Sequence, residues 1–123
     1  MNQLRILISG ASIAGPAAAL LLARQGHRVT IVERAPSLRA GGQTVDLRGA
    51  GRTVIDRLGL GPASTEQLLD QGGIVKVDGR GRRGARMPVE AFGGNGVVST
   101  HEILRGDLAE VLDYVHARGV VHR

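Results

Sequence analysis

Three small residues and one acid have the types and spacing to do chemistry. Gly10, Ser12 and Gly15 stand in Gly10-Ala11-Ser12-Ile13-Ala14-Gly15, and Glu33 follows roughly twenty residues on. Gly10 permits a tight strand-to-helix turn, and a small residue at 12 lets backbone approach a pyrophosphate. Gly15 lets the following helix pack close to its strand. The free N–H groups and positive dipole end of that helix then face an anion, while Glu33 is placed to accept from ribose hydroxyls. Ser12 departs from the glycine usual at the middle position, but its hydroxyl is itself able to donate to a phosphate oxygen.

With 19 glycines in 123 residues such a spacing arises by chance, so the elements around it decide. Leu4, Ile6, Leu7 and Ile8 predict a strand over about 4–9. A helix over about 14–25 follows, with Pro16 in its first turn and Gly26 as its stop. Val29, Ile31 and Val32 predict a second strand over about 28–33 that ends at the acid. The helix is apolar almost all round, which predicts burial against a sheet rather than half exposure. Both strands read as parallel strands covered on both faces, joined by a right-handed crossover. This is a nucleotide-binding βαβ unit in an α/β protein.

Composition bounds the rest. The chain is 42% hydrophobic but only 2% aromatic, so its core must be aliphatic. It has no cysteine, which excludes disulfides, thiolate metal sites and cysteine nucleophiles. No apolar run has the length of a membrane span, and a cytoplasmic location is expected. The net charge is +5, nearly all of it arginine, with Lys76 the one lysine. The densest basic run, residues 79–86, lacks the interleaved aromatics of single-strand binders. It reads as a hairpin turn started by Asp78-Gly79, not as a nucleic-acid patch. His27, His101, His116 and His122 show no i,i+4 metal spacing and read as surface or helix-end residues, so no metal site is assigned.

Further along, residues 43–47 read as extended and 50–58 as a helix stopped by Gly59. Ser64 and Gln67 have the spacing of a capping box, predicting a helix that starts at Ser64. Residues 73–78 and 84–89 read as an antiparallel pair, with 97–99 as a third strand. Ile103, Leu104, Leu108, Val111, Leu112 and Val115 predict a helix over about 102–117, stopped by Gly119 before a strand at Val120-Val121. Two parallel strands and a fragment are too few for a doubly wound sheet, and the expectation is a C-terminally truncated part of a larger protein.

The blocks Ile8-Ser9-Gly10-Ala11-Ser12-Ile13-Ala14-Gly15-Pro16, Val32-Glu33-Arg34-Ala35-Pro36, residues 41–49 and Glu102-Ile103-Leu104-Arg105-Gly106-Asp107-Leu108 are specific together. Over essentially its whole length the chain resembles the N-terminal part of the FAD-dependent aromatic-hydroxylase-type monooxygenases, the group that includes para-hydroxybenzoate hydroxylase. The resemblance implies a Rossmann-like FAD-binding βαβ with the start of an inserted substrate-domain sheet. It divides the chain into an FAD-binding region over 1–70, a hairpin of the substrate domain over 71–100, and a helix returning to the cofactor domain over 101–123.

It further implies that Gly10, Ser12, Ile13, Ala14 and Gly15 form the pyrophosphate turn and that Glu33 binds the adenosine ribose. Arg34 would lie beside the adenine-ribose end, and the segment with Gln43 near the flavin or ribityl chain. Arg105 would reach the FAD phosphates or ribityl. The plainer alternatives are a strand-end acid for Glu33 and a surface arginine for Arg105. Complete relatives reduce FAD with NADH or NADPH and hydroxylate an activated ring of a small molecule with oxygen. The family's Asp-Gly and Gly-Asp motifs would lie downstream, no catalytic residue can be assigned, and residues 1–123 alone are expected to be inactive and to bind FAD weakly or not at all. Oligomeric state is not readable.

Two other functions compete. Ser9-Gly10-Ala11-Ser12 also resembles the start of the NAD(P)-dependent short-chain dehydrogenases, but the one tyrosine, Tyr114, is followed four residues on by Arg118 instead of lysine. A non-catalytic nucleotide-binding module is the other. A serine hydrolase is set aside, because the glycine segment is one residue too long for G-x-S-x-G.

Overall fold

The computed structural model describes residues 2–116 and 121–122. Strand β1 (Arg5–Ser9) leads through a glycine turn into helix α1 (Ala14–Arg24), which returns to strand β2 (Arg28–Val32). The two strands are parallel, with Arg5 opposite Arg28 and Ser9 opposite Val32. Val29 and Ile31 are buried on one sheet face against Ala19, joined by Ile6 and Ile8. The opposite face is open among the described residues. Leu7 is 69% exposed there, so coverage on both faces, as the apolar composition predicted, is not observed.

Chain order continues with β3 (Thr44–Asp46), α2 (Gly49–Arg57), α3 (Gly61–Glu66), β4 (Ile74–Val77) and β5 (Arg83–Met87). A short 3-10 turn (Ala91–Gly94) precedes β6 (Glu102–Leu104), α4 (Arg105–His116) and β7 (Val121–His122). Strand β7 adds to β2 in parallel, giving the order β1-β2-β7. Strands β3 and β6 form an antiparallel pair, and β4 and β5 a hairpin. The expected helix stop at Gly119 lies outside the described residues.

Helix α1 explains its own composition. Ala19, Leu22 and Ala23 pack on the sheet, while Ile13, Ala17 and Leu20 pack against a second core of Leu47, Ile55, Leu58, Ile103, Leu108 and Leu112. Two sides of the helix are therefore covered. The third, Ala14, Ala18 and Leu21, is exposed, which corrects the expectation of all-round burial. Arg24 ties the end of α1 to the end of α2 by donating to the carbonyls of Leu58 (2.7 Å) and Arg57 (3.4 Å), acceptors that a helix end leaves free.

Three boundaries differ from the sequence reading. Helix α3 begins at Gly61, because Gly59 turns the chain at φ +72° and Pro62 in the first turn pre-sets helical φ. Ser64 is accordingly inside the helix, 1% exposed, donating to the Gly61 carbonyl at 2.9 Å rather than capping. Residues 102–104 are strand, not helix. Their backbone pairs with 44–46, and this places Ile103, 0% exposed, in the second core. Residues 97–99 form no strand beyond a single bridge between Asn95 and Ser99.

The basic run makes a turn, as its glycines and Asp78 predict. Asp78 Oδ1 accepts from the backbone N–H of Arg80 and Arg82, and Oδ2 from Arg82 Nε at 2.7 Å. Those backbone donors hold the Asp78 carboxyl below the usual aspartate range. No helix among the described residues is long and apolar enough to cross a membrane.

Candidate functional site

The site lies where β1 and β2 end, at the crevice beyond the carboxyl edge of the sheet. Gly10 leaves β1 at φ +106°, a conformation that a side chain disfavours, and its N–H donates to the Val32 carbonyl at 2.8 Å. A Cβ on Gly15 would overlap the Gly10 carbonyl oxygen, so the turn and the first turn of α1 touch backbone to backbone. The helix is capped by no side chain, Ile13 being the N-cap. Its first-turn N–H groups have no intrahelical acceptors.

Three sequence-predicted side chains converge here. Glu33 Oε2 accepts from the Ala11 N–H at 2.8 Å and Oε1 from the Ala35 N–H at 2.9 Å. The Ala11 donor first, then those of Ala35 and Arg34 and the Arg34 charge, hold the carboxyl below its ordinary value. Glu33 is therefore ionised at neutral pH, and each oxygen keeps lone-pair capacity for a hydroxyl donor. Arg105, the first residue of α4, donates from Nη2 to Ser12 Oγ at 2.6 Å. Its own backbone is fixed from behind: the Arg105 N–H donates to the Gln43 carbonyl (3.0 Å) and the Gly106 N–H to the Gly41 carbonyl (2.9 Å).

Ala11, Ser12, Glu33 and Arg105 line one cleft with Ala35, Ser37, Leu38, Arg39 and Ala109. Arg34 and Gln43 do not line it. The Arg34 side chain is exposed beside Glu33, and Gln43 acts through its carbonyl. Arg39 and Ser37 were missed by the sequence reading. The available signal was their place in the loop directly after β2, on the same side as the glycine turn.

The cleft divides into two chemistries. One part carries Ser12 beside the α1 N-terminus and the Arg105 guanidinium, and suits a diphosphate. The other carries an ionised carboxylate and suits a diol. The donors are aimed, the carboxylate has free acceptor capacity, and Gly10 has open space where a Cβ would stand. The residues present fit a dinucleotide. Among the described residues no group of three or more His, Asp or Glu is placed to hold a metal ion.

Comparison with known proteins agrees with this geometry. The model of an NAD(P)-binding Rossmann-like domain matches residues 8–63. The FAD-dependent monooxygenase asL4 of Sarocladium schorii is 41% identical over 114 residues, which is 90% of this chain and 26% of that protein. The flavin-dependent monooxygenase eupH of a Phoma species is 43% identical over 115 residues, 91% of this chain and 26% of that one. Among solved structures, the tetracycline destructase Tet(51) superposes with a TM-score of 0.76 at 30% identity, over 99% of this chain and 31% of its own. The chain thus spans about a quarter of the length of the curated relatives it matches. In sequence and fold alike it is similar to the N-terminal part of flavin-dependent monooxygenases.

Proposed function

We propose that the chain is the FAD-binding part of a monooxygenase that hydroxylates a small, aromatic substrate in the cytoplasm, with NADH or NADPH as reductant. The observation that carries this reading is the convergence of Ser12, Glu33 and Arg105 on one cleft at the N-terminus of α1. Backbone N–H groups of residues 12–15 and the Arg105 guanidinium bind the cofactor's diphosphate, and Glu33 accepts from the adenosine ribose. Arg34 borders the adenine-ribose end, and the segment around Gln43 runs beside the ribityl chain. FAD, when bound, supplies the redox chemistry, and the residues of this chain bind and orient it. Residues 1–70 and 101–123 form the cofactor body, and 71–100 begin the substrate-side sheet.

A titration of the chain with FAD tests this, followed by NMR and flavin fluorescence, with ADP as competitor. Weak but saturable FAD binding displaced by ADP is expected, weakened about 10-fold further by Arg105→Met. A chain that takes NADP in preference to FAD refutes it.

A further inference from the structure

Arg105 is a cation held by a neutral partner. Among the described residues it makes no ion pair, and the side chain it bonds is Ser12, at 2.6 Å across 93 positions of sequence. Glu33 lines the same cleft but has its two oxygens engaged by the N–H groups of Ala11 and Ala35. The carboxylate is thereby kept from closing on the guanidinium and cancelling its charge.

The bonding capacity of the serine completes the picture. A hydroxyl has one donor and two acceptor lone pairs. Ser12 Oγ accepts from Arg105, which leaves its own O–H to donate, and a hydroxyl that accepts from a cation is polarised toward stronger donation. A glycine at position 12 supplies neither function. Backbone bonds to Gln43 and Gly41 fix the base of the Arg105 side chain, so the remaining freedom lies in its rotamers. The Ser12 bond removes that freedom before a ligand arrives.

We propose that Ser12 is a positioning residue: it pre-aims Arg105 over the α1 N-terminus without neutralising it, and donates a hydrogen bond from its own O–H to a diphosphate oxygen. This rests on the dinucleotide reading above. It assigns the serine in place of the motif's middle glycine a role in diphosphate affinity.

The test uses the whole chain and two readouts. The first is ligand-free: NMR of the Arg105 guanidinium, whose rotation is slow when pinned. Slow rotation is expected in the parent chain and in Ser12→Thr, and fast rotation in Ser12→Ala and Ser12→Gly. The second is NMR-monitored titration with ADP and with adenosine, which lacks the diphosphate. Ser12→Ala is expected to weaken ADP about 10-fold, to leave adenosine unchanged, and to be rescued by Ser12→Thr. In an Arg105→Met background the same substitution is expected to cost clearly less, about twofold to threefold, because only the hydroxyl's own bond to the diphosphate is then lost.

Equal losses in both backgrounds, equal losses for adenosine, or a guanidinium that rotates as fast with Ser12 as without it overturn the proposal and leave the dinucleotide reading standing. A parent chain that takes NADP in preference to both ADP and FAD overturns both. Ser12→Gly serves as the binding variant should Ser12→Ala fail to fold.

Discussion

Glu33 Oε2 accepts the Ala11 N–H at 2.8 Å, so the acid that ends β2 closes over the turn that ends β1. Its other oxygen takes the Ala35 N–H and fixes the start of the next loop. One carboxylate thus sets the shape of two segments of the cleft before any ribose is bound. The pairing has a pH signature. Backbone donors lower the carboxyl's folded-state value below the ordinary one, so near pH 4 the folded chain holds fewer protons than the unfolded chain. The stabilisation is complete above the ordinary carboxylate range and is lost as pH falls through the depressed value.

Glu33→Gln is expected to melt lower than the parent at neutral pH. Its amide offers one acceptor oxygen, so the Ala11 or Ala35 N–H is left without a partner. The gap between the two melting temperatures is expected to close as pH falls below the ordinary carboxylate range and through the depressed Glu33 value, because the parent alone loses a charge-assisted acceptor. Thermal melts across that range measure it. A gap that stays constant would show that the Glu33 charge contributes nothing to the turn.

Gly15→Ala tests the contact between turn and helix. The added methyl would overlap the Gly10 carbonyl oxygen and crowd the Ile8 side chain, and backbone on both sides leaves no rotamer to yield. A loss of about 1–3 kcal/mol or more in folding stability is expected, as for overpacked sites. ADP binding should weaken too, because the displaced turn carries the N–H groups. Chemical denaturation and titration read the two effects separately.

The Arg105 end of the site depends on another close approach. A Cβ on Gly106 would overlap the Gly41 backbone nitrogen and crowd its carbonyl oxygen. Gly106→Ala is expected to push the 40–43 loop off α4, release the Arg105 and Gly106 backbone bonds, and destabilise the chain by about 1–3 kcal/mol. Gly51→Ala is the matched control. It lies within α2 with nothing within 4 Å of its Cβ position, at a φ that alanine accepts. That substitution is expected to stabilise by about 0.4–1 kcal/mol. Denaturation midpoints of the two variants should move in opposite directions.

Local features of the βαβ unit were legible because each is dictated by neighbours in sequence. Pro16 and Gly26 act within a few residues of their own position, and Gly10 and the acid at 33 were marked by the spacing that the glycine turn and the next strand end prescribe. The distant partner of the site was legible only as a family likeness. Nothing near Arg105 says that its guanidinium will meet Ser12. Burial was the least legible property. The apolar residues of α1 serve two different cores, while Leu7 and Leu21 are exposed among the described residues, and composition distinguishes none of these. Arg39 was invisible for a related reason: an arginine in a polar loop has no periodicity, and only the fold carries it to the cleft wall.

Ile103 is the sharpest case of a misread period, and it can be tested. It stands beside Leu104, whose spacing to Leu108 and Val111 is helical, yet Glu102–Leu104 pairs with Thr44–Asp46 as strand. The pairing wins because it satisfies the backbone of two segments at once and delivers Ile103 to the core beside Leu47 and Leu58. It also sets where α4 begins, and hence where Arg105 stands. Ile103→Ala is expected to cost about 2–5 kcal/mol, the range for a buried isoleucine truncated to alanine. Leu7→Thr, on the open sheet face, is expected to change stability by no more than about 0.5 kcal/mol. If 102–104 were instead the first turn of an exposed helix, Ile103→Ala would be neutral or mildly stabilising, since alanine is the better helix former. Urea denaturation of both variants separates the two geometries by the sign of the Ile103 effect.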